Sequence, residues 1–475
     1  MAQPVNQETP EEQWKNGWRH WLLIILGFFL LLALVVGVLV AKQSAEAKRD
    51  RTEVQRRLDL IRAAGLPMTA QDLAKLYPDP PPEQDASLLL KPALAILSVP
   101  DDAADLVRFD LVLPRSKPPD PSVMAEEQQW FRQNQAAFAL IPWGQLEHAW
   151  IGSGFTNGLM NITQAPLNKM SCVVKLLCVN AILEAEQQHP QDAIKSLQQA
   201  AKIANTLKND LPIHAMARQT ADSFISVALE RVINRVSLAD SDLASIPGFL
   251  TSTNIGATKE SLLINQRPLA LFIANDLQAR TSQMTSGSLS AARRLILAFQ
   301  GKLLYHDADL LHYLKWNDQC LAALESPMSN AIPTLLDLEG RQNAALENKH
   351  VGFMDAFKKD RISFITMQEL RVTQFLLREL NAVASVRLAA AASAIERWRS
   401  AHAGQLPGST AELVPDFLPA IPSDPFDDQP MRYKKLGKGY VLYSIGEDLT
   451  DDGGKEQPAP TNNSDRYDIT FTVEK

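Results

Sequence analysis

The sequence predicts an α+β protein: one N-terminal transmembrane helix, a mostly α-helical body of helical hairpins, and a small antiparallel β-sheet packed on a long helix. Three observations predict it. Residues 21–41 (WLLIILGFFLLLALVVGVLVA) carry no charge. From about residue 122 to 400, apolar side chains recur at helical spacing. Beyond Gly404 that period stops, and turn residues alternate with short apolar runs. The 475-residue chain is too long for one ordinary domain. Its 46% hydrophobic and 21% charged content is that of a globular protein rather than a disordered one. A net charge of −7 argues against a nucleic-acid partner, which would need a basic surface. Three cysteines (Cys172, Cys178, Cys320) are too few for a disulfide framework.

After a 1–20 tail, the uncharged run 21–41 has the roughly 20 residues that a bilayer core demands. A helix is its natural form, because a helix pairs its own backbone groups in lipid. Trp18 and Trp21 stand at its edge, where interfacial tryptophans belong. A cleaved signal peptide would have a shorter apolar region, despite the small-x-small triplet Ala45-Glu46-Ala47. The lipid bilayer is thus an expected partner. Ala33, Gly37 and Ala41, four residues apart, would let two such helices approach as a homodimer. Bases downstream (Lys42, Lys48, Arg49, Arg51, Arg56, Arg57) outnumber those upstream (Lys15, Arg19) and favour a cytoplasmic body.

Residues 42–77 are charged and helix-prone, a stalk interrupted at Gly65 and Pro67, with Thr69 placed to cap the helix that follows. The body is expected over 78–356, punctuated by proline clusters at 78–82 and 114–121. Its clearest part is 169–235. Leu176, Leu177, Ile182 and Leu183 recur at helical spacing, His189-Pro190 breaks the run, and Ala193, Ile194, Leu197, Ala200 and Ala204 resume it. Ala193, Leu197 and Ala200 resemble the small-large-small positions of a tetratricopeptide hairpin, although Gln188 stands where that family has glycine. No second copy follows at the family's period, so this is a lone hairpin. Residues 237–258 read as a loop, and a long alanine-rich helix ends near 403.

Sought catalytic motifs are absent: no H-E-x-x-H, phosphate-binding loop, G-x-S-x-G elbow or dinucleotide fingerprint occurs. Cys172 and Cys178 fall on different faces of a helix and read as buried thiols. His306, Asp307, Asp309 and His312 form a His/Asp cluster, but His306 and His312 lie about 240° apart around a helix.

The segment 357–475 is expected to be a long helix leading into a small head. Arg432-Tyr433, the run 440–444 and the run 470–473 read as strands. An ordered set of short motifs accompanies them: Gly404-Gln405-Leu406-Pro407, Glu412-Leu413-Val414, Asp424-Pro425-Phe426, Tyr443-Ser444-Ile445-Gly446, and an acidic glycine loop from Asp448 to Gly454. On these motifs the C-terminal stretch resembles the globular head of the major pseudopilin of type II secretion systems. The chain departs from that family in lacking its leader and F-T-L-x-E helix start, so it is not expected to polymerise as a pilus subunit. The resemblance implies calcium in the acidic loop. Ile445, through its carbonyl, and Asp448 are the best-matched ligands, and Asp451, Asp452 or Asp468 would add a further carboxylate. The physics is compatible, since calcium takes about six to eight oxygens from carboxylates and carbonyls. The bland alternative is a solvated acidic loop.

The expected function is therefore that of a membrane-anchored envelope protein in a bacterial-type inner membrane. It would bind or scaffold a protein partner, in connection with secretion or pseudopilus-like assembly, through a calcium-stabilised head. A calcium loop favours a periplasmic body, against the charge bias. The alternative is a hydrolase with an unrecognised cleft in the helical body, which a pocket with converging His306, Asp309 and glutamate side chains would favour.

Overall fold

The computed structural model describes residues 10–98, 115, 120–158, 167–208, 210–250, 259–272, 306–347, 372–456 and 467–475. The chain divides into two compact units, residues 1–63 with 274–315, and residues 64–273 with 316–475.

In the first unit, helix α1 (Pro10–Ala63) runs unbroken, because nothing between the apolar stretch and the charged one interrupts helical propensity. Its charged end is laced by i,i+3 and i,i+4 pairs, Arg57 and Arg56 to Glu53 and Arg62 to Asp59.

The expected membrane span requires correction here. Among the described residues, no helix is long and apolar enough to cross a membrane. The apolar side chains of α1 at residues 21–35 are exposed. The single-pass anchor at 21–41 and the bilayer partner therefore do not stand. The homodimer through Ala33, Gly37 and Ala41 loses the span it needed. Inner-membrane placement with a periplasmic body falls with it, as does the anchored envelope and secretion role.

The second unit is mostly helical with a three-stranded sheet, an α+β architecture. Helix α2 (Ala70–Leu76) starts with a capping box, in which Thr69 and Asp72 satisfy each other's backbone amides. Helices α3 (Ala86–Ile96), α4 (Pro121–Gln133) and α5 (Gln135–Ala139) lead into the helical layer. There α6 (Leu167–Glu186), α7 (Pro190–Asn205) and α8 (Pro212–Arg235) pack on one another. Buried side chains surround most of α6, whereas α7 buries one alanine-rich face of Ala193, Leu197, Ala200 and Ala204. Those small residues let the helices approach closely. The α6–α7 turn places Gln188 at φ 64°, a left-handed conformation that favours glycine.

Residues 240–249 form helix α9 (Asp240–Phe249), not the loop expected there. Asp240 and Asp242 favour its first turn, and Leu243 and Ile246 bury against the core. Helices α10 (His306–Ala323) and α11 (Met328–Glu347) follow.

Helix α12 (Val372–Ala401) joins the two halves of this unit. It packs on α8 and α9 with one side and on the sheet with another, which is why so many of its alanines are buried. Ala403 and Gly404, both left-handed, end it. The sheet has order β1–β2–β3: β1 (Arg432–Lys435), β2 (Tyr440–Ser444) and β3 (Ile469–Val473), all antiparallel. Gly439 is obligatory in the β1–β2 turn, since a Cβ there would lie 1.7 Å from the Val473 carbonyl oxygen. One continuous hydrophobic core runs from Leu90 on α3 through α6–α8 and α12 to Phe471 and Val473 on β3. The sheet therefore shares its core with the helical layer.

Strand β3 is held on its outer side by helix α8. Glu230 Oε1 accepts from the Thr472 amide at 2.7 Å. Asn234 Nδ2 donates to the Thr472 carbonyl at 2.8 Å, and Asn234 Oδ1 accepts from the Glu474 amide at 2.8 Å. Two side chains thus satisfy backbone groups that a fourth strand would otherwise pair.

Candidate functional site

The acidic loop begins where β2 ends. Its foundation is Asp424, whose side chain is fully buried. Its carboxylate accepts from the Ser444 hydroxyl at 2.8 Å, the Ile445 amide at 2.9 Å and the Phe426 amide at 3.1 Å. Arg432 on β1 completes it with Nη1 at 2.7 Å. The same guanidinium reaches Asp427 at 2.6 Å and Asp451 at 3.2 Å. A buried carboxylate with this many donors pins the end of β2 and the start of the loop to the Asp424-Pro425-Phe426 turn.

From there the chain curls through left-handed residues: Gly446 (φ 69°), Leu449 (φ 59°), Gly453 (φ 75°) and Gly454 (φ 77°). At Gly454 glycine is also a matter of space, since a Cβ would press on the Tyr443 ring and Val441. Asp448 accepts from the Thr450 amide at 3.1 Å and Asp451 from the Gly453 amide at 2.9 Å, both local turns. Glu447 is drawn toward α12 by Asn381, 2.7 Å away.

Asp468, just before β3, closes the loop from the far side. It accepts from the Gly454 amide at 2.7 Å and from the Asp452 amide at 3.4 Å. Burial pushes its carboxyl above the usual range, and the neighbouring Asp451 and Asp452 push the same way, against the two amide bonds. The expected ligand residues are thus gathered into one loop. Asp468 meets its backbone, while Asp451 is tied to Arg432 and Asp448 to its own turn. Among the described residues, Asp448, Asp451, Asp452 and Asp468 do not bring three carboxylates together. A cation here would depend on carbonyl oxygens such as that of Ile445, with fewer carboxylates. The sequence places Asp424 in the Asp-Pro-Phe turn and Arg432 on a strand, but their pairing, which organises the site, has no signal in it.

Two other constellations were not foreseen. Glu184, His189 and Asp192 do bring their ligand atoms within 4.8 Å of one another at the α6–α7 turn. His189 Nδ1 lies 3.0 Å from Glu184, and Asp192 sits in the first turn of α7, where a carboxylate complements the helix dipole. Ser153, Asp210 and His214 also meet, and His214 Nδ1 lies 3.0 Å from Asp210. The Ser153 hydroxyl, however, bonds Asp210 rather than the imidazole, and His214 is fully buried. A hydrolytic triad needs its base on the nucleophile, so this is a core polar network.

The hydrolase alternative is corrected accordingly. The side chains of His306 and Asp309 lie outside the described residues, so nothing described supports it. Cys172, Cys178 and Cys320 are buried thiols, and burial pushes the Cys178 thiol far up, away from nucleophile chemistry. Comparisons with protein families, with curated proteins and with solved structures find no match for this chain.

Proposed function

We propose that the loop 445–454, closed by Asp468, is a calcium-binding loop that stabilises the C-terminal sheet against α12, in the manner of the pseudopilin head that its motifs resemble. The observation that supports this most is Asp468. It is only 5% exposed, its carboxyl is raised by burial, and two further aspartates stand beside it. A hard cation would relieve that unfavourable charge. The available donors are carboxylate and carbonyl oxygens, which suit calcium rather than a soft metal. The residues offered to it are Asp448, Asp468 and the Ile445 carbonyl, with Asp451 and Asp452 at the margin.

The test uses the full chain, because β3 leans on α8 and shares its core. A site of millimolar strength at tenfold excess calcium stabilises by about 1.4 kcal/mol. Calcium should therefore raise the thermal midpoint, magnesium should do so less, and Asp448→Ala or Asp468→Asn should remove the shift. A midpoint unchanged at ten millimolar calcium refutes the proposal.

A further inference from the structure

The turn between α6 and α7 gathers three metal-type donors from two helices. Glu184 comes from the last turn of α6, His189 immediately precedes α7, and Asp192 stands in its first turn. Their ligand atoms all lie within 4.8 Å of one another. The backbone sets this up. The His189 amide donates to the Glu184 carbonyl at 2.9 Å, and the His189 carbonyl accepts from the Ala193 amide at 3.1 Å. These two bonds fix His189 between the helix that ends and the helix that begins.

The charges at this turn are unbalanced. His189 Nδ1 lies 3.0 Å from Glu184 Oε2. Among the described residues, Asp192 makes no side-chain hydrogen bond or ion pair, and no lysine or arginine answers either carboxylate. The acidic loop differs, because amides and Arg432 take up its carboxylates. His189 and Asp192 are exposed and Glu184 is half-buried, so an ion reaches all three donors from solvent without opening the core.

We infer that this turn binds a divalent transition-metal ion of the zinc type, through one imidazole nitrogen and two carboxylate oxygens. An imidazole donor selects zinc-like ions over calcium and magnesium, which take oxygen ligands. Zinc holds nitrogen and carboxylate oxygen at about 2.1 Å, so neighbouring ligands of a tetrahedral ion stand about 3.4 Å apart. The cluster brackets that spacing, with His189 and Glu184 at 3.0 Å and all three donors inside 4.8 Å. The ion takes the place of the hydrogen between Nδ1 and Oε2, and that proton leaves to solvent. Water fills the fourth position. Bound in this way, the ion ties the end of α6 to the start of α7.

The experiment is a competition titration of the full chain, in which zinc is withdrawn from a chromophoric chelator by the parent protein, by His189→Gln and by Asp192→Asn. Both substituted residues are exposed, so both variants should keep the parent's thermal midpoint in the absence of metal. The parent should take up one equivalent of zinc more than His189→Gln does. Asp192→Asn should bind that equivalent at least about tenfold more weakly. Calcium at about ten millimolar should leave it in place. Uptake that is the same in all three proteins would mean that the cluster is only a surface ion pair of His189 and Glu184. Displacement by calcium would mean that oxygen donors alone hold the ion. Either result overturns the assignment.

Discussion

Asn234→Ala isolates the way in which helix α8 holds the sheet. Asn234 serves both sides of β3's outer edge, donating to the Thr472 carbonyl and accepting from the Glu474 amide, each at 2.8 Å. Truncation leaves the Thr472 carbonyl without its partner, in a residue only 5% exposed. A buried backbone group left unpaired costs about 1–3 kcal/mol. Glu474 is exposed, so its amide turns to water at little net cost. The expected loss is therefore about 2 kcal/mol, which corresponds to roughly 30-fold at 1.4 kcal/mol per decade. Hydrogen exchange followed over residues 469–475 reads this directly. The amides of this segment should exchange about 30-fold faster, with α6 and α7 unchanged. If protection of 469–475 stays as in the parent protein, or falls equally throughout the helical layer, the side-chain edge does not hold the strand.

Three further outcomes follow from the same geometry. Asp424→Asn strips the charge from a fully buried carboxylate that faces Arg432 and three other donors, and should cost about 3 kcal/mol in denaturant unfolding. Burial, reinforced by Glu126, pushes the Glu127 carboxyl up to about 8 from 4.5. The folded state therefore retains a proton that the unfolded state has lost between those values, and stability should fall as pH rises from about 4.5 to 8. Glu127→Gln should flatten that part of the profile; an identical slope in the variant would remove Glu127 as its source. Gln188→Gly relieves a left-handed backbone at the α6–α7 turn and should raise stability by about 1 kcal/mol, measured by thermal unfolding; a lower midpoint would show that the side chain matters more than φ.

What the sequence made legible was local. The α7 face of Ala193, Leu197 and Ala200 is written at helical spacing, and so is the glycine-rich curl after Ile445. Helix α9 was not legible: Pro247 and Gly248 mask it, and it exists because Leu243 and Ile246 find a core supplied by other helices. The Asp424–Arg432 pair needed β1 in place before eight residues of separation had any meaning. The Glu230–Thr472 bond spans the chain and has no local signature. The uncharged run at 21–41 shows the opposite failure, where composition suggested an environment that the described helix does not support. At the acidic loop, residue types announced oxygen donors, but hydrogen bonding decides where each carboxylate points. Asp468 turned to loop amides and Asp451 to Arg432, which no count of acidic residues foretells.

The bond between Glu230 and Thr472 has a consequence for synthesis. Helix α8 leaves the ribosome more than two hundred residues before the strand it clasps, since the two partners are 242 positions apart. At translation rates of about 5–20 residues per second, the helix waits ten seconds or more. During that interval Glu230 can pair with Arg115 and Arg231, but the apolar face destined for β3 stays uncovered. Contacts this distant in sequence form late and slow folding. The helical layer therefore takes shape well before the strand that completes this edge.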